Sequence, residues 1–335
     1  MILVTGGTGL VGSNLLIELS KTHSNIVAIK RVSSNLKYVS DLFKLNNLSI
    51  NFKNIKWFDV DLTDFFSLKE LFDANNFKYV YHCAAEISYR KKDNLLLYEN
   101  NVTSTKYLVD LAVCSKVQKF CYVSSIATLG TNKDGEITEQ TEFNFDKKTS
   151  GYSTSKYYAE LEVWRGIAEG LNAIIINPSV IIGAGNWKTG SSSMFGIIKR
   201  GLKFYTKGVT GFVDVRDVVS IMIKLANSEL RSQRYIVSSE NINYKNFFCL
   251  VAKYLQVKCP SIYATKFLTS LAWRLEFVKS ILLNKQPVIT YYSAQTSHKK
   301  LEYSNEKIIN ALNYNFIKIE ESVQFYAKLY QIENM

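Results

Sequence analysis

The chain has 335 residues, 47% of them hydrophobic and 21% charged, with three prolines and 16 glycines. That composition excludes wholesale disorder, collagen-like repeats and low-complexity sequence, and the length is enough to bury a full core in about two domains. Forty-one basic against 29 acidic residues leave a net charge of +12. The excess suits an anionic ligand, but its densest clusters, Arg90-Lys91-Lys92 and His298-Lys299-Lys300, are too short for a polybasic arm, so no specific nucleic-acid partner is expected.

Residues 1–4 read as a first strand that no basic leader precedes, so no signal peptide is expected. A glycine-rich turn, Thr5-Gly6-Gly7-Thr8-Gly9-Leu10-Val11-Gly12, leads from it into a helical pattern over 10–20. The spacing G-x-x-G-x-x-G is a relative of the dinucleotide fingerprint. Gly6 permits the tight turn, Gly9 lets backbone approach a pyrophosphate, and Gly12 lets the helix pack closely on the sheet. Free N–H groups of the first helical turn then face the phosphates. A second strand over 25–29 ends in Lys30-Arg31, where an NAD-type unit would carry an acid for the ribose hydroxyls. Arginine can grip a 2′-phosphate bidentately, so NADP is favoured, with NAD as the alternative.

Helix 36–45, strand 55–58, helix 65–75, strand 79–82, helix 95–115, strand 120–123, helix 152–169 and strand 173–176 follow. The strands are short, apolar and partly β-branched, as suits parallel strands buried on both faces. Five rounds of alternation predict a doubly wound α/β sheet. After Pro178 the alternation stops, which sets a dinucleotide-binding domain at 1–177 and a smaller, mainly helical substrate domain at 178–335. A segment near 205–230 is expected to return to the first domain. The stretch 267–283 is apolar but interrupted by Arg274, Glu276 and Lys279. It reads as an amphipathic helix covering a pocket or core, in preference to one lying on a membrane surface, and no apolar run is long enough to span a bilayer.

Five cysteines with no C-x-x-C pair argue against a closed disulfide framework, and three histidines without ligand spacing against a structural metal. A reducing cytoplasm is the expected setting.

Several of these segments together resemble the extended branch of the short-chain dehydrogenase/reductases, the NAD-dependent epimerase/dehydratase type, with dihydroflavonol reductase and 3β-hydroxysteroid dehydrogenase relatives the nearest in pattern. The resemblance covers residues 1 to about 230 well. It implies that the glycine loop, including Thr8, Leu10 and Val11, holds the cofactor. Asp61 and Leu62 would contact the adenine, and Ala84 and Ala85 would run beside the cofactor. It also places Ser125, after Tyr122-Val123-Ser124, at a catalytic strand end, with Ser124 next to the cofactor. Tyr152 and Lys156 match the family's Y-x-x-x-K pair; that pattern occurs four times here, and only this copy opens a helix some 27 residues after a Ser-Ser strand end. Asn101 resembles the helix asparagine that supports the site, and Pro178 and Ser179 follow the strand where relatives approach the nicotinamide. Two departures, Asn177 for the usual arginine before Pro178 and Ala184 for a common proline, are expected to border the substrate side. Relatives are commonly homodimers through the helices near 95–115 and 152–169.

The spacing of four puts Tyr152 and Lys156 about one helical turn apart on one face. Tuning a phenol from about 10 towards neutrality takes about 4 kcal/mol, which one ammonium at ~4 Å supplies at an effective dielectric near 20. The expected chemistry is reduction of a ketone or aldehyde. Tyr152 protonates the developing alkoxide, Ser125 orients the oxygen, and Lys156 lowers the Tyr152 pKa and holds the nicotinamide ribose. The alternatives are a nucleotide-sugar epimerase or dehydratase with retained NAD, and a dinucleotide-sensing protein without catalysis. His82, Asp214 and Asp217 are read as structural. Trp187, Phe195, Phe204 and Tyr205 are read as pocket lining or aromatic core.

Overall fold

The structure is a computed structural model that describes residues 1–132, 135–145, 149–187, 189–282 and 289–333. Its first half runs β1 (Ile2–Thr5), α1 (Leu10–Ser20), β2 (Ile26–Lys30), α2 (Lys37–Leu45), α3 (Ser49–Asn54), β3 (Lys56–Asp59), α4 (Phe65–Asp73), β4 (Tyr79–His82), α5 (Asn94–Leu97), α6 (Ser104–Cys114), β5 (Lys119–Val123), α7 (Gly151–Ala168) and β6 (Ala173–Pro178). The second half adds β7 (Val180–Ile182), α8 (Ser193–Lys199), β8 (Phe204–Tyr205), β9 (Val209–Asp214), α9 (Val215–Ala226), β10 (Gln233–Val237), β11 (Glu240–Asn243), α10 (Tyr244–Tyr254), β12 (Ile262–Tyr263), α11 (Lys266–Leu282), α12 (Tyr291–Thr296), α13 (Glu306–Leu312) and α14 (Ile319–Glu333).

Seven strands form one parallel sheet in the order β10-β6-β5-β4-β1-β2-β3, the doubly wound arrangement that the alternation predicts. The central strands are buried on both faces, which is why they read as continuous apolar runs. Leu3, Val27, Val80, Phe120 and Ile175 point into one core, beneath α4, α6 and α7, while Val4, Ala28, Tyr81, Cys121 and Ile174 point into the other. α9 packs on α1 there, and β10 pairs with β6, so the chain crosses back to the large sheet after leaving it. The order reverses between β1 and β4, and a doubly wound sheet opens its ligand crevice at that switch point, on the carboxyl side.

The second half is mainly helical, as expected, with short strands between the helices. It holds a three-stranded mixed sheet, β11-β9-β7, and a short parallel pair, β12-β8. Strands this short carry too few residues to show a period of two. Cys249 in α10 is disulfide-bonded to Cys259, so the odd cysteine count excluded a framework but not a single bridge; Cys83, Cys114 and Cys121 are free. No helix among the described residues is long and apolar enough to cross a membrane, and no described cluster of His, Cys, Asp or Glu could hold a metal ion. The expected amphipathic helix is present as α11, with Leu283 outside the described residues; its Lys266 and Thr269 line a cleft against α12, and none of its described side chains is fully buried.

Candidate active site

The residues expected around a dinucleotide come from the carboxyl ends of six neighbouring strands. Gly6 to Gly12 follow β1, Lys30 and Arg31 end β2, and Asp61 and Leu62 follow β3. Ala84 and Ala85 follow β4, Ser124 and Ser125 follow β5, and Pro178 and Ser179 close β6. Two glycines are required by close backbone packing. Gly6 has φ +68°, and a Cβ there would lie 2.6 Å from the Ala84 nitrogen; a Cβ on Gly12 would lie 2.2 Å from the Gly6 carbonyl oxygen. Gly9 is exposed, and a Cβ there would lie 3.3 Å from the Gly6 carbonyl oxygen. α1 begins at Gly9 with no side-chain cap and no acid in its first turn, so its leading N–H groups, with Thr8 beside them, are left for an anion. The buried Ser179 hydroxyl has no hydrogen-bond partner. A cradle shaped for backbone approach, a free helix end and an unpartnered hydroxyl fit a dinucleotide.

At the adenine end, Asp61 accepts bonds from the backbone and hydroxyl of Thr63, at 2.9 and 2.8 Å. Lys30 is paired with Asp59. Arg31, an exposed guanidinium, bonds Glu86 at 3.2 Å and Asn100 at 2.8 Å. Asn101 lies in a π-helical turn, Tyr98–Thr103, between α5 and α6. Its carboxamide accepts from the Glu86 N–H at 2.7 Å and donates to the Glu86 carbonyl and to Ser155. It therefore braces the segment after β4 and has no donor left for a ligand.

Tyr152, near the start of α7, is half-buried and stands edge-on to Tyr89, with the Ser125 hydroxyl near enough to act on its pKa. Lys156, one turn on, is fully buried. It donates to the Tyr122 hydroxyl at 2.7 Å and to the Val123 carbonyl at 2.8 Å. The structure thus brings Ser125 and Tyr152 together and turns the lysine head beneath them, onto β5. This corrects the expectation that the ammonium lowers the Tyr152 pKa. Burial raises that pKa, Tyr89 adds to the rise, and the Ser125 hydroxyl offsets only part of it. Burial also pulls Lys156 down to about 7, against the opposing pull of Glu160 and Cys83.

Sequence reasoning missed the group that holds this arrangement in place. Glu160, one turn beyond Lys156, is buried. One of its oxygens accepts from Ser124, Thr128 and Asn177, and the other pairs with Arg234 of β10 at 3.0 Å. Asn177 also reaches the Ser125 carbonyl. Ser124, expected next to the cofactor, therefore turns its hydroxyl inward onto Glu160. Asn177 and Ala184, expected on the substrate side, are both buried, with the Ala184 carbonyl accepting from Tyr38. The signal for this cluster was Asn177 itself, a polar residue at the end of an all-apolar strand.

The phenols of Tyr89, Tyr152, Tyr244 and Tyr303 form a linked group: Tyr89 raises the pKa of Tyr152 and Tyr244, and Tyr244 that of Tyr303. Among the described residues no cation offsets the rise at any of the four. His82, read as structural, is buried inside the sheet between Thr5 and Thr105, and burial lowers its pKa to about 3. Trp187 and Phe195 pack with Tyr330, whereas Phe204 is exposed.

Comparison with known proteins adds an independent finding. The NAD dependent epimerase/dehydratase family matches residues 2–238. A protein assigned as a dihydroflavonol 4-reductase in Synechocystis sp. is 27% identical over 317 residues, 92% of this chain and 88% of that one. The solved structure of gox2253 superposes with a TM-score of 0.79 at 26% identity, over 97% of this chain and 96% of the other. A UDP-glucose 4-epimerase from Thermotoga maritima shares the fold, with a TM-score of 0.78 at 18% identity over 100% of this chain and 99% of its own.

Proposed function

The chain belongs to the NAD-dependent epimerase/dehydratase family, the extended branch of the short-chain dehydrogenase/reductases, and is an NAD(P)-dependent enzyme of that kind; within it, we propose an NADPH-dependent reductase of a ketone or aldehyde with an uncharged body. The observation that carries this reading is that Tyr152 near the start of α7 and Ser125 after the end of β5 lie on the same carboxyl side of the sheet as the glycine loop, with Tyr89 edge-on to the phenol. A phenol is protonated at neutral pH, and that is the form that reduction consumes. A diphosphate substrate would call for guanidinium or ammonium partners, and the phenol cluster supplies hydroxyls instead.

The glycine loop, the residues after β3 and β4, and Ser179 would hold the cofactor, with Arg31 the group for a 2′-phosphate. When bound, the nicotinamide supplies a hydride to the carbonyl carbon. Ser125 orients the carbonyl oxygen by hydrogen bonding. Tyr152 releases its proton to that oxygen as negative charge builds there, and Lys156 carries a nearby proton store poised near neutrality.

The test is to titrate the protein with NADPH and NADH, then to follow NADPH oxidation against a panel of aromatic and alicyclic ketones. Tyr152→Phe is expected to cost at least about a hundredfold in kcat, the scale of a lost general acid, with NADPH affinity unchanged. Full activity in that variant removes Tyr152 from the chemistry. Tightly retained NAD with turnover of a UDP-sugar replaces the reductase reading with the epimerase one.

A further inference from the structure

α11 is mounted inside out. At 100° per residue, Phe267, Leu268, Leu271, Leu275, Val278 and Leu282 fall within about 100° of arc, and every one of them is exposed, from 40% at Leu268 to 78% at Leu282. The opposite side is mixed and polar; its Thr269, Trp273 and Glu276 turn to the body of the protein, while Phe277 there is 54% exposed. Thr269 bonds His298 at 2.8 Å, Trp273 stands edge-on to Tyr291, and Glu276 is only 22% exposed. A surface helix of a water-soluble domain does the reverse, turning its apolar stripe to the core. A contiguous exposed stripe of this size marks an interaction surface.

The charges around the stripe say what covers it. Arg274 and Lys279 lie within about 20° of its two borders, where long basic side chains can keep their heads at a polar boundary while the stems lie along apolar surface. A cleft between α11 and α12 is lined by Lys266, Thr269, Gln295, His298 and Lys299. Just before the helix, Ile262 and Tyr263 are exposed, and the Lys207 ammonium sits over the Tyr263 ring. Apolar surface edged by lysine and arginine is complementary to the acyl and phosphate layers of a bilayer. It is poorly matched to a second copy of itself, because pairing two such faces brings their cations together.

We propose that α11 is a membrane-surface helix: it lies in the interface of a bilayer containing anionic phospholipid, with its leucine stripe at the acyl boundary and Arg274 and Lys279, which flank the stripe, at the phosphates. The protein docks on one leaflet and does not span it. This is independent of the reductase reading.

The experiment is co-flotation of the full chain with vesicles of phosphatidylcholine alone and with 30% phosphatidylglycerol, at low and at 0.5 M salt (both compositions and salt levels about as stated, chosen to span the range in which surface charge is screened). Binding is expected to the anionic vesicles and to weaken at least tenfold in high salt. Leu271→Glu with Leu275→Glu is expected to weaken it at least tenfold, and Arg274→Glu with Lys279→Glu to remove the preference for phosphatidylglycerol. All four positions are exposed, and an unchanged far-ultraviolet circular dichroism spectrum and unfolding midpoint in each variant certify the fold. No binding to any vesicle, or binding that the double glutamate leaves intact, overturns the proposal. So does a self-association that the leucine substitutions abolish, since the stripe is then a contact between copies.

Discussion

At the scale of the residue, the site shows how burial and position divide one helical turn into two roles. Tyr152 and Lys156 share a face of α7, yet the phenol reaches Ser125 while the amine goes under β5 to Tyr122 and Val123. The amine pays for that position in water lost, and its pKa falls to about 7 from an ordinary value near 10.5. In the unfolded chain the lysine holds its proton up to about pH 10.5, whereas the folded protein releases it from about pH 7. Between those limits the unfolded state binds more protons, so this group makes stability rise with pH, by up to about 1.4 kcal/mol per unit. Denaturant midpoints of the cofactor-free protein and of Lys156→Met are therefore expected to diverge from pH 7 to pH 9 in favour of the wild type. Parallel pH curves for the two would show that the lysine is not buried as described.

At the scale of the element, the active helix is held by a buried carboxylate. Glu160 gathers Ser124 from the end of β5, Thr128 from the turn after it, Asn177 from β6 and Arg234 from β10. Four separate pieces of chain thus take their register on α7 from one side chain, which fixes how far Tyr152 stands from Ser125. Removing one partner of a buried ion pair leaves the other charged and unsolvated. Arg234→Met is expected to cost about 3–5 kcal/mol in urea unfolding. Adding Glu160→Gln in the same chain is expected to recover part of that loss. A double variant as unstable as the sum of the two singles would mean that the pair does not interact. The helix from Asn94 onward shows a related division. Its π-helical turn aims Asn101 at Glu86, so the strand end that borders the glycine loop is fixed from a helix rather than by its own neighbours.

At the scale of the whole molecule, the two sheets are joined through a pair of acids at the head of α9. Asp214 caps that helix, pairs with Arg216 and accepts from Tyr326 of α14. Asp217 accepts from Tyr314 at 2.9 Å and from the Ile317 N–H at 3.1 Å. Burial raises the Asp217 pKa to about 6 against the pull of those two donors. A carboxyl raised in the folded state contributes most below its unfolded value near 3.8 and loses that contribution as the pH climbs through 6. Asp217→Asn is therefore expected to gain stability relative to the wild type between pH 4 and pH 7, read as the difference in their unfolding midpoints. A difference that does not move with pH would place Asp217 in solvent contact.

The amino-acid sequence determined the large sheet, the glycine turn and the position of Tyr152 and Lys156 one turn apart on α7. These depend on local periodicity, on backbone conformations open only to glycine, and on spacing along a single helix, all of which are written in neighbouring residues. It did not determine where the Lys156 head would go, that Asn177 would serve a buried glutamate, that Cys249 would meet Cys259, or that the leucines of α11 would face outward. Each of those depends on what lies across the fold: a tyrosine on β5, an arginine from β10, the course of the chain after α10, and the side of α11 on which α12 packs. An apolar stripe reads the same whether it meets a core or a membrane, and only the tertiary structure decided on which side of the helix the protein lies.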